Sequence, residues 1–182
     1  MDKKRIKDLI LPVSEYVTIN ENSTLFDMIA VLNKAKKKTG GPANKHSTVL
    51  IVDDEGHVIG EIDYLDFLQS LEPKYKEIRD PENFLHAGVS PDYMESTADT
   101  LRLWEDNVER INARAKSIKI TDVMRPTREH IDENASLLEA AHRFVMYHTL
   151  VLFVKRNNKI TGLLRISDVY AEITRFMLNA DS

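Results

Sequence analysis

The chain has 182 residues, of which 42% are hydrophobic and 30% charged, and it carries a net charge of −4 and no cysteine. This composition is typical of a globular protein; the acidic balance argues against a general nucleic-acid binder, and the lack of cysteine excludes disulfides and thiol catalysis. Because there is no run of about 18 apolar residues and no apolar signal region at the N-terminus, we expect no membrane span and a cytoplasmic location.

Two similar phrases reveal an internal repeat. INENSTL at residues 19–25 resembles IDENASL at residues 131–137, which lies 112 positions further along the chain. Three more pairs of phrases occur in the same order: IKDLILP (6–12) with ITDVMRP (120–126), HSTVLIVD (46–53) with HTLVLFVK (148–155), and VIGEIDYLDFL (58–68) with ITGLLRISDVY (160–170). The last two pairs share an offset of 102. We therefore interpret the chain as two copies of one module, with length changes only between the matching phrases.

Each copy predicts a strand, a helix, two strands and a final helix. The first helix is expected to begin after Thr24 in the first copy and after Ser136 in the second, because [Ser/Thr]-x-x-acid is a capping pattern. Apolar runs at 49–52 and 151–154 indicate buried strands. A polar turn and a second strand follow, and the last helix opens near an aspartate in each copy.

The segment that joins the copies, residues 73–118, is long, and its second part predicts a helix from 91 to 117. Apolar residues recur there in steps of three and four, which is a heptad pattern: Met94, Thr97, Leu101, Trp104, Val108, Ile111, Ala115 and Ile118. Such a helix measures about 40 Å, and its apolar stripe needs a cover. Packing on the chain's own modules and pairing with a second copy are both open, and we favour pairing in a homodimer.

A second insertion, residues 33–45, is basic and then rich in glycine and proline. We expect a helix end followed by a solvated loop, since lysines complement a helix C-terminus. A phosphate-gripping flap is the alternative, although the lysine and hydroxyl residue of a Walker-type loop are absent.

The repeated phrases resemble a tandem pair of cystathionine-β-synthase (CBS) domains, also called a Bateman module. The resemblance is carried by the openings, the strand-to-helix junctions, the apolar strands and the two endings, Gly60-x-x-Asp63-x-x-Asp66 and Gly162-x-x-Arg165-x-x-Asp168. It implies an α+β fold of two βαββα modules related by pseudo-two-fold symmetry, with a long helical insertion between them. The expected boundaries are residues 1–72 for the first domain, 73–118 for the linker and 119–182 for the second domain.

The resemblance assigns ribose binding to the last aspartate of each ending, Asp66 and Asp168. A carboxylate suits a vicinal diol because it accepts hydrogen bonds from both hydroxyls. Each aspartate is equally suited to cap the last helix, since aspartate is a favoured N-cap residue. The two roles can coexist.

The residue three positions earlier departs from the family pattern, which has serine or threonine there. Arg165 is suited to fork onto a phosphate, whereas Asp63 repels one. We therefore expect the better nucleotide site at the second ending. The first cleft is then empty, or takes an uncharged nucleoside, or holds a cation through Asp63 and Asp66. The alternative for Arg165 is an ion pair with an acid such as Asp63.

Five further positions complete the expected ligand-binding residues. The segment 127–131 matches the stretch that lines the adenine pocket in the family, so we expect contacts from Thr127, Arg128 and His130, with positive charge near the second site. Val151 and Ser167 are expected to contact the ligand beside the second ending.

The family implies a stand-alone regulatory module and not an enzyme. We expect it to bind AMP, ADP, ATP or S-adenosylmethionine, to need no cofactor or metal, and to signal to an effector protein by changing shape. It is expected to form a homodimer and to bind neither nucleic acid nor membrane. Two other functions stay open: a homodimeric scaffold with degenerate clefts that uses the 91–118 helix as its interface, and a divalent-cation sensor.

Overall fold

The computed structural model describes residues 5–39, 48–77, 96 and 102–180, and it has the predicted α+β fold. The described strands are β1 (Leu11–Pro12), β2 (Val17–Asn20), β3 (Thr48–Val52), β4 (Val58–Asp63), β5 (Arg125–Pro126), β6 (His130–Asp132), β7 (Val151–Arg156) and β8 (Lys159–Arg165). The described α-helices are α1 (Leu25–Thr39), α2 (Tyr64–Leu71), α3 (Val108–Ser117), α4 (Leu137–Tyr147) and α5 (Ile166–Ala180). None of the helices in these ranges combines the length and the apolar character needed to cross a membrane.

The strands form two four-stranded sheets, and each sheet contains one strand from the other copy. The first sheet has the order β2-β3-β4-β5 and the second β1-β8-β7-β6. β1, from the opening of the first copy, pairs antiparallel with β8, so that Leu11 faces Leu163. β5, from the opening of the second copy, pairs in the same way with β4, so that Arg125 faces Glu61. The openings are thus exchanged between the modules, which ties the two copies into one unit.

The apolar residues ahead of the exchanged strands cross over as well. Ile6 is fully buried in the core of the second module, and Ile120 is fully buried in the core of the first. A third apolar cluster joins the two sheets through Tyr16, Leu50, Phe153 and Leu163. Each opening therefore completes the core of the other module.

Gly60 and Gly162 explain how the exchanged strands come so close. A methyl group on Gly162 would overlap the carbonyl oxygen of Leu11 and would lie 3.1 Å from the Cα atom of Pro12. A methyl group on Gly60 would lie 2.8 Å from the carbonyl oxygen of Arg125. Because glycine has no Cβ atom, both pattern glycines permit the close approach of a neighbouring backbone.

The capping pattern forms at both strand-to-helix junctions, which confirms the predicted starts of α1 and α4. Ser136 Oγ accepts a hydrogen bond from the backbone N–H of Glu139 at 3.1 Å. Thr24 Oγ1 accepts one from the N–H of Asp27 at 3.3 Å, and the Asp27 carboxylate accepts one from the N–H of Thr24 at 2.8 Å. These bonds satisfy donors that a helix start leaves unpaired. α1 runs to Thr39, and the glycine-rich part of the second insertion lies outside the described residues.

The repeat alignment is wrong by one residue in the first strand of each hairpin. Ile51 faces Gly60 across the β3–β4 pair, whereas Val154 faces Gly162 across the β7–β8 pair. Ile51 therefore corresponds to Val154, 103 positions further on, and not to Phe153 at an offset of 102. The first hairpin has one more residue between these two paired positions than the second hairpin has. This residue accounts for the difference between the offsets of 103 and 102. A run of Val, Leu, Ile and Phe hides such a shift because every position in it is apolar.

The predicted continuous helix over 91–117 is wrong in the part that the structure describes. α3 begins only at Val108, and the N-cap residue Asn107 accepts a hydrogen bond from the backbone N–H of Arg110 at 2.9 Å. Before it, Arg102 and Trp104 have φ angles of 51° and 61°, which a right-handed helix does not permit. The helix thus begins directly after the polar residues 105–107 and does not extend through them. Residues 91–95 and 97–101 lie outside the described residues.

The described part of the apolar stripe packs on its own module, whereas pairing with a second copy was favoured from the sequence. Ala115 is buried in the core of the first module, and Ile111 packs against the same cluster. Trp104 is held at the end of α2, where its backbone N–H donates to Glu72 at 2.8 Å and its indole N–H donates to the Tyr75 hydroxyl at 3.1 Å. Val108 alone among the three stripe residues of α3 is highly exposed.

Candidate functional site

The candidate site lies where β4 leads into α2 and where β8 leads into α5. At the first ending, Asp63 is the N-cap of α2 and forms a capping box with Asp66. The N–H of Asp66 donates to the Asp63 carboxylate at 2.9 Å, and the N–H of Asp63 donates to the Asp66 carboxylate at 2.9 Å. The capping role considered for Asp66 is therefore shared, with Asp63 as the cap itself.

Arg125 joins the first ending from the other copy. The exchange of β5 places its guanidinium 2.8 Å from Asp63, 3.1 Å from Asp66 and 3.4 Å from Glu61. Burial lowers the pKa of Arg125, but Asp66, Glu61 and Asp63 outweigh it and raise that pKa. One guanidinium thus faces three carboxyl groups, which leaves the first ending negatively charged.

Glu61 is a buried acid at the junction of the two modules, only 8% exposed. Burial raises the pKa of Glu61 to about 7, although Arg125 acts to lower it. Its Oε2 atom has no hydrogen-bond partner among the described residues. Burial likewise raises the pKa of Asp66, against the backbone N–H of Asp63 and the charge of Arg125. The first ending is therefore a place where a carboxyl group is held at high free energy when it is ionised.

At the second ending, Arg165 and Asp168 pair with each other. Arg165 Nε donates to Asp168 Oδ2 at 2.8 Å, and Arg165 Nη2 donates to Asp168 Oδ1 at 2.7 Å. The hydrogen bonds to Asp168 raise the pKa of Arg165, against a smaller effect of burial. In place of the Arg165–Asp63 pair considered from the sequence, each ending has its own pair, with Asp63 bound to Arg125.

Tyr16 lies between the two endings. It is buried in the cluster that joins the sheets. Burial raises the pKa of Tyr16 to about 12, while Arg165 lowers it and both Asp168 and Glu61 raise it further. The Tyr16 hydroxyl therefore lies within electrostatic reach of charged groups at both endings.

Val151 and Ser167 lie beside the second ending, and their predicted contact with a ligand stays a prediction. Val151 faces Arg165 across the β7–β8 pair. Ser167 is exposed in the first turn of α5, next to Asp168. The structure thus brings four of the predicted positions together: Val151, Arg165, Ser167 and Asp168.

Thr127 and His130 line cavities near the hairpin turns, and His130 lies on β6, where it faces Phe153, whose partner on β8 is Leu163, two residues before Arg165. The backbone N–H of Thr127 donates to Ile59 at 3.4 Å, and Thr127 lines a cavity of about 520 Å³ between the turns of the two hairpins. His130 lines a neighbouring cavity of about 320 Å³ at the second hairpin turn, and Arg128 is exposed between them in the chain. None of the contacts described for these three residues reaches Asp168, so their predicted role in the second site stays a prediction.

Sequence reasoning missed Arg125 and Glu61, although a signal was present. In the repeated phrases Arg125 aligns with Leu11, and Glu61 aligns with Leu163. The structure shows that each of these is a facing pair across two strands. Two charges of opposite sign therefore replace two leucines at one crossing, a paired change that the repeat makes visible within a single chain. Tyr16 leaves no comparable signal, because the repeat places Arg128 at its position and nothing in that difference points to the second ending.

The described residues contain no group of three or more His, Asp or Glu side chains arranged to hold a metal ion. At the first ending, the acids that were considered as cation ligands are instead bound by Arg125. This arrangement disfavours a divalent-cation sensor there.

Comparisons with known proteins agree with the fold. The family model of the CBS domain matches residues 6–73 and 120–175. No curated protein shows significant sequence similarity to the chain. A CBS domain-containing protein of unknown function from Bacillus anthracis has a TM-score of 0.61 at 14% identity, covering 95% of this chain and 94% of that chain.

Two similar structures contain nucleotides. CBSX2 in complex with AMP has a TM-score of 0.55 at 15% identity, covering 95% of this chain and 98% of that chain. The CBS domain of a bacterial CNNM/CorC family Mg²⁺ transporter in complex with ATP has a TM-score of 0.60 at 14% identity, covering 95% of this chain and 89% of that chain. At these identities the similarity shows the fold.

Proposed function

Because the chain belongs to the CBS-domain family, as a tandem pair, we propose that it is a regulatory module that binds an adenine nucleotide at its second ending. The observation that carries this proposal is the side-by-side placement of Asp168 and Arg165 where β8 meets α5. A carboxylate matches a ribose diol, and a guanidinium matches a phosphate. The AMP and ATP complexes of similar folds support the choice of ligand class.

Each residue of the second ending has a proposed role. Asp168 accepts hydrogen bonds from the two ribose hydroxyls, and Arg165 binds the phosphate. Val151 and Ser167 contact the nucleoside from the adjacent strand and helix. Tyr16 belongs to the cluster that joins the sheets, so that rearrangement of the second ending on binding alters the packing between the two modules and signals to an effector protein.

The first ending is less suited to a phosphate. Glu61, Asp63 and Asp66 repel an anion, and Arg125 is already bound to all three. A ligand without phosphate suits this ending better, either an uncharged nucleoside or the sulfonium cation S-adenosylmethionine. The two clefts of one chain therefore differ in the ligands that they accept.

Calorimetric titration tests the proposal on the purified full chain. AMP, ADP, ATP and S-adenosylmethionine are titrated into wild type, Asp168→Ala and Asp66→Ala. A nucleotide at one hundred times its Kd is also expected to stabilise the fold by about 2.7 kcal/mol. We expect nucleotide binding that Asp168→Ala abolishes and Asp66→Ala spares. If a folded protein binds none of these ligands, the alternative role as an interaction scaffold with degenerate clefts is favoured.

We further propose that the chain forms a homodimer through the exposed sides of α2 and α5. Tyr64 and Leu68 on α2 are 52% and 49% exposed, and their repeat equivalents on α5, Ile166 and Tyr170, are 39% and 69% exposed. Equivalent apolar surfaces on two pseudo-symmetric helices suit a two-fold interface. Sedimentation of Tyr170→Glu and Leu68→Glu tests this, with a shift from dimer to monomer expected.

A further inference from the structure

Two hydrogen bonds join the Arg165 guanidinium to the Asp168 carboxylate, and we call this pair of bonds the fork. The fork occupies the carboxylate that the ribose needs. The two nitrogens of the guanidinium approach one oxygen each, at 2.8 and 2.7 Å. In this geometry the guanidinium faces both oxygens of the Asp168 carboxylate. A vicinal diol has to approach the carboxylate from the same side in order to donate to both oxygens. Ribose and Arg165 therefore compete for Asp168.

The fork is particular to the second ending. At the first ending only one oxygen of Asp66, Oδ2, is engaged in the described contacts, by the N–H of Asp63 and by Arg125 Nε. The pattern position three residues ahead holds Asp63, an acid that cannot form an ion pair with Asp66. At the first ending the cation beside Asp66 is Arg125 from the other copy, which contacts one oxygen of Asp66, whereas Arg165 belongs to the second ending and binds both oxygens of Asp168.

The pair is exposed enough to open. The side chain of Arg165 is 37% exposed and that of Asp168 is 23% exposed. Exposed ion pairs are weak, because water competes with both partners. Opening is favourable only when both groups find new partners, and a ligand with a diol and a phosphate supplies one for each. A neutral nucleoside supplies a diol for Asp168 but no anion for Arg165.

We propose that Arg165 is a specificity-determining residue that holds Asp168 closed against unphosphorylated adenosine and releases it when a phosphate binds the guanidinium. The proposal rests on the proposed function, because it names the ligand class that the second ending selects. Arg165 thereby acts twice, as a competitor of the ribose and as a ligand of the phosphate.

The test compares AMP with adenosine by calorimetric titration of the full chain. Arg165→Thr removes the guanidinium and restores the hydroxyl residue of the family pattern. We expect adenosine to bind this variant about three to ten times more tightly than wild type, since breaking a bidentate but partly exposed ion pair costs a modest free energy. The preference for AMP over adenosine should also fall, because the variant lacks the guanidinium that binds the phosphate. The double variant Arg165→Thr/Asp168→Asn should lose the gained adenosine binding, which assigns the gain to Asp168.

Arg175→Thr is the matched control. Arg175 makes the same kind of fork onto an acid three residues away, Glu172, with bonds of 3.2 and 2.6 Å on the same helix. It lies outside the second ending, so its loss should leave both affinities unchanged.

The outcomes separate the two proposals. Wild type that binds AMP, with an Arg165→Thr variant that gains no adenosine binding, overturns the role of Arg165 and leaves the proposed function intact. Failure of wild type and Arg165→Thr to bind either ligand overturns both. The closed fork is supported if Arg165→Thr binds adenosine and wild type does not. It is also supported if the gain in adenosine affinity of Arg165→Thr is lost in the double variant.

Discussion

Glu61 and Leu163 occupy equivalent positions in the two sheets, and each faces a residue supplied by the other copy. Glu61 faces Arg125, whereas Leu163 faces Leu11. Leu163 is fully buried in the cluster that joins the sheets, and Glu61 is nearly as buried but carries a carboxyl group. The exchange of β1 is therefore stabilised by apolar contact, and the exchange of β5 by an interaction between opposite charges.

Stability should depend on pH through Glu61. Its pKa is raised by burial from 4.5 to about 7, so the unfolded state loses this proton at lower pH than the folded state. Wild-type stability should thus fall as pH rises from about 4.5 to 7, with the full penalty above 7. Glu61→Gln has no such penalty, and its stability relative to wild type should rise over this window by about 1–3 kcal/mol.

Urea unfolding at pH 4.5, 6 and 8 measures this difference. Loss of the attraction to Arg125 offsets part of the gain, but it does not change the direction of the trend. Glu55→Gln is the control, since the Glu55 side chain is 80% exposed on a turn. A relative stability of Glu61→Gln that stays constant or falls with rising pH would contradict the burial of this carboxyl.

The pattern glycines should resist even the smallest substitution. In Gly162→Ala the new methyl group meets the backbone of Leu11, and backbone cannot move aside as a side chain does. We expect a loss of about 1–3 kcal/mol or more in the free energy of unfolding. Gly56→Ala is the comparison: it has a φ of +81° but no atom within 4 Å of the added methyl, so its smaller cost of about 1 kcal/mol reports backbone strain alone. Equal losses in the two variants would argue against the close crossing.

The exchange of openings predicts crossed effects on local stability. Ile6→Ala should cost about 2–5 kcal/mol and speed amide hydrogen exchange most in β7 and β8, because Ile6 lies in the second core. Ile120→Ala should act on β3 and β4 instead. Hydrogen exchange followed by mass spectrometry distinguishes the two patterns. If each variant loosens the module that follows it in the chain, the openings are not exchanged in solution.

The start of α3 can be tested by the sign of one substitution. As an N-cap, Asn107 bonds the backbone of Arg110, so Asn107→Ala should destabilise the fold by about 0.5–2 kcal/mol. In a continuous helix over 91–117 the same change would stabilise it, because alanine is the better helix former. Thermal unfolding of this variant beside Asn112→Ala, an exposed position within α3, gives the two signs side by side.

Features that depend on neighbouring residues in the chain were predictable from the sequence. The repeat, the buried strands and the capped helix starts at Thr24 and Ser136 rest on local patterns and short-range hydrogen bonds. The pairing of the two apolar strands in each copy also followed, because a short turn brings its own two strands together. These features account for most of the strands and helices of the fold.

Features that depend on distant segments were not predictable in the same way. The exchange of β1 and β5 brings Arg125 to Asp66 across more than fifty residues of chain, and no local pattern specifies such a pairing. The heptad pattern failed at Asn107 because spacing alone does not reveal a cap inside an apolar series. The one-residue error in the hairpin arose where every residue of the strand was apolar, so that either register buries a hydrophobic face.

The exchanged openings also bear on how this chain arose. A polypeptide with a single copy would hold three strands of its own sheet and an opening that fits another sheet, so it could complete its core only by trading openings with a second chain. Two such chains would form a swapped pair with true two-fold symmetry. Joining them end to end frees each half to mutate separately. The leucine pair at one crossing and the Glu61–Arg125 pair at the other are a divergence of the kind that such a fusion permits.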